Sequence, residues 1–590
     1  MKIKAYKQMK NFILILILAV YESAFCDGPY LVIPDVMNKV SILENDGNSQ
    51  VRKVFDADSL PIFTGFPKIT NGQSVEGGIY CQMDSDPALE IVYGIGTTVQ
   101  AWNIDGSVVS GWPKTLSYNA QGAPSYGDIN GDGAAEIVIG SANITGTTGS
   151  LYAFEKDGTP VTGFPVSIGS ARTVTLCDMD NNGSLEIITS KRLSSAGEIY
   201  VYNGNGTVYA GWPKAINHVP ASSSAAGDIT GDGFPEIISE SYTGLYAWDR
   251  NGNILTGFPF ILPNGDVNSY SSPVLADING DNIREIIFGS HVSSAGGLVY
   301  ILKNDGTVIS GWPKSTNYWV YGPPVVGYVN NDNVLDIVIG DQIGSGTPVN
   351  SVYGWDVNGN VLSGFPIGPV NAVNNQIALA DIDGDNMLEL LFDDNSQTGS
   401  MGKYPAYNHD GTPVAGWDLP TTGASFFNMP CLTDLNSDGT LDIVGAGYTL
   451  GGGNQTYSYI WNSGITYNAS KIINPVWQFN VRHNGVYGDN NIVSVGNFNS
   501  EIPTDYSLSQ NYPNPFNPST HLEFGISKLG FVSLKVYDVL GNEVKTLVNE
   551  NKPVGNYIVE FDGSALSSGI YFYQLTAEGF IDTKRMILVK

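Results

Sequence analysis

Cysteine, histidine and charge are all scarce in this chain. Four residues of 590 are cysteine and five are histidine. That excludes a disulfide framework and any site built from clustered imidazoles or thiolates. Charged residues make up 14%, too few for long solvated helices or a disordered chain. Basic residues number 28 against 57 acidic ones, for a net charge of −29. A field of that sign repels nucleic acid and anionic lipid, so neither is expected as a partner. Long apolar runs are also missing. The longest, Phe12 to Val20, is half of the roughly 20 residues that a spanning helix needs. No transmembrane segment is expected.

Glycine is plentiful at 70 residues, and aromatics reach 11%. This composition suits many short strands joined by tight turns. Lys2, Lys4, Lys7 and Lys10 precede the run from Phe12, and small residues Ser23 and Ala24 follow it. Residues 1–26 therefore read as a signal peptide, with cleavage near Ala24 or Cys26. The remaining cysteines, Cys81, Cys177 and Cys431, each precede an acid-rich loop and are expected as small buried filler.

An internal repeat dominates the chain. Eight acid-rich loops, each running into an apolar strand, start at Gln82, Asp128, Asp178, Asp228, Asp277, Tyr328, Asp381 and Asp434. Steps between starts run from 46 to 53 residues, the period of a four-stranded propeller blade. Each period also holds an Asp-Gly or Asn-Gly turn, such as Asp157-Gly158 or Asn251-Gly252, and then a Gly-aromatic-Pro triplet. Such dipeptides favour two-residue hairpins. An extra turn at Asp46-Gly47 and an extra Gly65-Phe66-Pro67 precede the first acidic loop. The chain thus begins with outer strands and ends with inner ones, and pairing the two would close a ring without open edges. The expected fold is all-β: a propeller of eight blades over residues 27–480. Seven is the alternative, because residues 445–480 hold extra strand-like segments.

The triplet aromatics alternate as Phe66, Trp112, Phe164, Trp212, Phe258, Trp312 and Phe365, with Trp417 before Asp418 in the eighth place. Equal placement in each period points to wedges between blades; stacking on sugar rings is the competing reading.

The acidic loops carry oxygen side chains at positions 1, 3, 5 and 9. Asp128, Asn130, Asp132 and Glu136 set the pattern. Alternate positions of a tight loop converge on one point, and hard oxygen donors in a flexible loop suit Ca²⁺. Asx-rich turns would account for one or two such loops, but not for 24 acids at these positions of eight loops. The loops resemble the calcium-binding FG-GAP and VCBS repeats of integrin-α-like propellers. That resemblance covers roughly residues 30–480 and implies ligand roles at matching positions. Besides the Asp128 set these are Asp178, Asp180, Asn182 and Glu186; Asp228, Thr230, Asp232 and Glu236; and Asp277, Asn279, Asp281 and Glu285. Two later loops add Asp381, Asp383, Asp385 and Glu389, and Asp434, Asn436, Asp438 and Asp442. Gln82 replaces the first Asp in one loop, leaving Asp84, Asp86 and Glu90. Tyr328 replaces it in another, leaving Asn330, Asp332 and Asp336, and that loop is not expected to hold metal. The implied ions are several structural Ca²⁺.

Residues 481–504 are rich in Asn, Gly and Ser and read as a linker. About six strands are expected within 505–590, forming a small β-sandwich. Asn511-Tyr-Pro-Asn-Pro-Phe-Asn-Pro518, Gly569-Ile-Tyr-Phe-Tyr573 and the end Lys584 to Lys590 are similar to the type A C-terminal sorting domain of the type IX secretion system. The resemblance implies export, engagement of that secretion machinery, and release or surface attachment. For the whole chain, a secreted binding or adhesion module with an extracellular protein or carbohydrate ligand is the leading expectation. A calcium-dependent, polysaccharide lyase-like enzyme on the same scaffold is the alternative. Its candidate residues are the non-repeating Tyr457, Tyr459, Trp461, Trp477, Arg482 and His483. No nucleophile elbow or HExxH segment supports an enzyme.

Overall fold

A computed structural model describes residues 60–489 and 506–589, with short gaps in both, and three short strands between Tyr30 and Val54. The proposed signal segment lies outside the described residues. The chain divides into two compact units, Met1–Val495 and Gly496–Lys590.

The period of the first unit becomes a sheet. In the third period, Thr175–Cys177, Glu186–Arg192, Ala196–Tyr202 and Lys214–Asn217 pair in chain order, all antiparallel. The acidic loop joins the first strand to the second. The second strand is apolar along its length, as in Glu285–His291, where all seven residues are buried. Both faces of such a strand are covered by neighbouring sheets, so the in–out alternation of a half-exposed strand is lost.

Eight such sheets occur among the described residues between 68 and 466, here numbered 1 to 8 in order of their acidic loops. Their inner strands are Ser74–Cys81, Ser125–Gly127, Thr175–Cys177, Ala225–Gly227, Val274–Ala276, Val325–Gly327, Ala378–Ala380 and Cys431–Thr433. Inner strands are tied to their neighbours: Ser125 Oγ donates to the Val174 carbonyl, Thr175 Oγ1 to Ser224, and the Cys431 thiol to Gly78. The last tie joins sheet 8 to sheet 1. The outer strand of sheet 8 is Lys68–Asn71, from the start of the chain, paired to Gln455–Ser458. The fold is a propeller closed by an exchange of strands, but only Lys68–Asn71 joins sheet 8; Tyr30–Pro34, Val40–Asn45 and Val51–Val54, expected as outer strands of the ring, pair with one another in a sheet of their own.

The Gly-aromatic-Pro triplets lock successive sheets. Trp112 Nε1 donates to the Lys156 carbonyl, Trp212 to Arg250 and Trp312 to Val357, each in the next sheet's hairpin. The same tryptophans meet Phe154, Trp248 and Trp355 edge-on. The rings are wedges, each at most 9% exposed where fully packed, and not a sugar platform. The glycine has its own reason. At Gly111 and Gly257, φ is positive, and a Cβ would sit 2.0 Å and 1.7 Å from the carbonyl of the next sheet's Asp157 or Asp305.

Residues 471–487 depart from the linker expected from 481. They run along the axis as a buried plug. Ile473 donates to Leu379 of sheet 7, and Pro475 accepts from Leu432 of sheet 8. Val481, Arg482, Asn484 and Gly485 then accept from Tyr126, Leu176, Ala226 and Leu275 of sheets 2 to 5. The segment thus visits the inner strands in the order of the sheets. It satisfies backbone N–H groups that have no partner within their own sheets. Val481, Val486, Trp477 and Phe479 fill the axis. Hence the first unit extends past 480, and a free linker cannot begin at 481.

The second unit has two antiparallel sheets, Ser507–Leu508 with Ser519–Ile526 and Gly555–Asp562, and Glu543–Lys552, Gly530–Tyr537, Gly569–Ala577 and Phe580–Leu588. One apolar core joins them, with Phe524, Leu534, Phe561, Leu575 and Met586 among its members.

Candidate metal centres

Each acidic loop is shaped first by hydrogen bonds from its own backbone. Asp128 accepts from the N–H of Gly131 on one oxygen and of Gly133 on the other, at 2.7 and 2.9 Å. Asn130 accepts from Asp132, and Asp132 from Ala134. Glu136, at position 9, is buried and accepts from Ile129 at 2.9 Å. The position-9 bond recurs in all eight loops, from Glu90 with Met83 to Asp442 with Leu435. It anchors the first residue of the second strand beneath the loop. The Asx turns weighed as the competing reading are therefore present.

They do not satisfy every oxygen. Glu389 Oε1, Asp442 Oδ1 and Asp336 Oδ1 are buried without a hydrogen-bond partner. Four loops bring three carboxylate oxygens within 4.8 Å of one another: Asp84, Asp86 and Glu90; Asp128, Asp132 and Glu136; Asp178, Asp180 and Glu186; and Asp381, Asp383 and Asp385. Among the described residues, no ion pair joins these acids to a basic side chain. Two unit charges 4 Å apart repel by about 4 kcal/mol at an effective dielectric of about 20. Burial pushes Glu136 and Glu389 up to about 8 and Glu90 and Glu186 up to about 7, with the neighbouring acids adding to the rise. A divalent cation would remove the repulsion in the four converging loops and complete Glu389 Oε1 in the Asp381 loop, so their donor set fits Ca²⁺.

The loops at Asp228, Asp277 and Asp434 keep the same backbone bonds but, among the described residues, do not close three carboxylates on one point. Position 3 also reaches the position-9 glutamate in two of them, Thr230 to Glu236 and Asn279 to Glu285, as Asn130 does to Glu136 in the converging Asp128 loop. Conversely, the irregular first loop does converge. Gln82 takes the place of the first Asp by accepting from Asp84 and donating to the carbonyls of Asp86 and Ala88. At Tyr328 the ring is 43% exposed, and Asp332 and Asp336 are the only acids of the pattern.

The non-repeating residues offered for catalysis are placed otherwise. His483 is fully buried, its Nδ1 2.8 Å from the Trp477 carbonyl and its Nε2 2.8 Å from that of Pro124. It pins the plug and reaches no solvent. Trp461 and Trp477 are buried in the core of sheets 7 and 8. Cys81 and Cys431 are buried free thiols, as expected of filler, whereas Cys177, expected buried as well, is half-buried.

In the second unit the Asn/Pro-rich entry is a latch. The Asn511 N–H donates to the Tyr573 hydroxyl, which donates to the Ser509 carbonyl. Phe516 is buried and exchanges backbone bonds with Ile587 and Val589. The three segments that carry the resemblance thus meet in one place. Residues 510–590 match the family described as the secretion system C-terminal sorting domain. This tail is similar to that sorting-domain family over nearly its whole length. Residues 178–239, spanning the third and fourth acidic loops, match the FG-GAP-like repeat.

No curated protein matches the chain by sequence. Among solved structures, the V. cholerae biofilm matrix protein Bap1 is similar at 14% identity and a TM-score of 0.48, covering 73% of this chain and 96% of that one. The Dos1 propeller is similar at 11% identity and a TM-score of 0.43, with 69% and 96% covered. A quinoprotein alcohol dehydrogenase-like protein from Bacteroides thetaiotaomicron aligns at 11% identity and a TM-score of 0.34, with 72% and 84% covered.

Proposed function

We propose that this chain is an exported binding module, an eight-bladed propeller stiffened by calcium and delivered to the cell surface or medium through type IX secretion. One observation carries the calcium reading: four loops gather three carboxylate oxygens each within 4.8 Å, without a basic partner. Ions there would tie the inner strand of a blade to its second strand, and their role is structural. The ligand set proposed is that of the converging loops, with Asp228, Asp277 and Asp434 and their partners as weaker sites. The sorting tail supports the export route. A stiff disc presents its connecting loops to a ligand outside the cell, which is the work of an adhesion or capture protein. Expression in a type IX-competent host tests the address. The full chain should reach the surface or medium, and a chain ending at residue 504 should accumulate in the periplasm. Arrival of the truncated chain outside the cell would refute the sorting role.

A further inference from the structure

The acidic loops follow the inner strands; the residues that precede those strands gather at the opposite end of the axis. There the repeat breaks. Six residues before each loop's first position, Glu76, Arg172 and Asn375 stand where Gly122, Ser222 and Gly322 occur in other periods. Together with Tyr270, Tyr321 and Asn374 these odd residues line a recess floored by Trp477 of the plug. Its volume is about 40 Å³, room for a water or for the hydroxyl edge of a ligand but not for a whole sugar ring.

Two features show what it fits. Asn374 is 2% exposed and its Nδ2 faces the Asp393 carboxyl, but its Oδ1, the Nδ2 of Asn375 and the Nε of Arg172 have no partner. Buried amides left open are costly unless a ligand completes them. Second, rings run outward from the recess in one contiguous string. Arg172 lies 4.5 Å over Tyr270, and Tyr270 meets Tyr321 at 5.1 Å. Tyr321 touches Trp319, which stacks on His291 at 4.4 Å. Tyr242 and His218 continue the row. Tyr270 and Trp319 are 42% and 40% exposed. These rings come from connections of sheets 3 to 6, and they contrast with the buried triplet wedges.

We infer that this recess and its row of rings bind a saccharide chain. Adjacent sugar hydroxyls each donate and accept, which the open Asn374 oxygen together with the open N–H groups of Asn375 and Arg172 matches. The apolar face of a sugar ring packs on an aromatic face. The row is long enough in residues to take successive rings of a polymer, with a hydroxyl of the last ring reaching into the recess toward Asn374 and Arg172. An apolar peptide or lipid would leave the amides unpaired, and a polyanion would find one arginine in a strongly acidic chain. The inference rests on the binding-module reading and supplies its ligand class.

Native affinity electrophoresis of the full chain in calcium is the test, with starch, laminarin, xylan, mannan, pectin and alginate as probes. At least one gel should retard the protein. Tyr270→Ala and Trp319→Ala, at exposed positions and with unchanged melting curves, should each weaken that retardation at least tenfold, as should Asn374→Ala. No retardation by any probe overturns the inference while leaving the calcium and export readings standing. Retardation undiminished in all three variants overturns this site and places saccharide binding elsewhere. Release of unsaturated or shortened products, lost in the same variants, supports the site and overturns the non-catalytic reading of the chain.

Discussion

Chelation should lower the melting temperature of the propeller by about 3 °C for each calcium removed. A ligand held at a hundred times its Kd stabilises the folded state by about 2.7 kcal/mol. Unfolding entropy is about 2.1 cal/mol/K per residue, or about 0.9 kcal/mol/K for the roughly 430 residues from 60 to 489. The quotient is about 3 °C per site, and about 12 °C for the four converging loops. Scanning calorimetry of the full chain, first in excess EDTA and then in excess Ca²⁺, reads the shift. Mg²⁺ should restore less, because a flexible oxygen loop meets its octahedron poorly. Asp132→Asn should remove about one site's share, whereas Asp332→Asn in the Tyr328 loop should change nothing. An unchanged curve after chelation would falsify the reasoning, as would equal losses in the two variants.

Other outcomes are equally specific. Phe479→Ala empties a fully buried position of the plug and should cost about 3–5 kcal/mol by denaturant unfolding. Deleting residues 60–73 removes the strand that closes sheet 8 and should yield aggregation-prone protein by light scattering, since it bares a sheet edge. Burial holds His483 below its ordinary pKa against the pull of its two carbonyl partners, so the folded chain takes up that proton at lower pH than the unfolded chain, which binds it below about pH 6.5. In saturating calcium, stability should therefore fall as pH drops through that region, by up to about 1.4 kcal/mol per unit. His483→Gln should lack that part of the slope. In the second unit, Tyr573→Phe removes the hydroxyl that joins Asn511 to Ser509 and should cost about 1–3 kcal/mol in a chemical melt.

The parts of this molecule that recur were legible in the sequence, because eight copies average out local ambiguity. Loops, hairpin turns and second strands fell where the spacing put them. The tail's strands also agree: about six were expected within 505–590, and six long ones run in order from Ser519–Ile526 to Phe580–Leu588. What occurs once was not legible. Residues 481–487 have the composition of a linker, yet they are held by inner-strand N–H groups over 300 residues away in some cases, such as Leu176 with Arg482. Their order comes from partners that no local pattern reveals. Convergence of the acids was equally hidden. The Asp128 and Asp277 loops share Asp, Asn, Asp and Glu at the same positions, but only the first closes three carboxylates. The recess residues had a signal, the substitution of Glu, Arg and Asn for Gly and Ser at one fixed offset. It shows only when the periods are aligned on the acidic loops.

The central claim is that the acidic loops hold calcium. Elemental analysis of the purified full chain, dialysed against trace Ca²⁺ with Mg²⁺ in excess, measures it directly. The account predicts about four calcium ions per chain, falling by one in Asp132→Asn and unchanged in Asp332→Asn. Less than one ion per chain would contradict it.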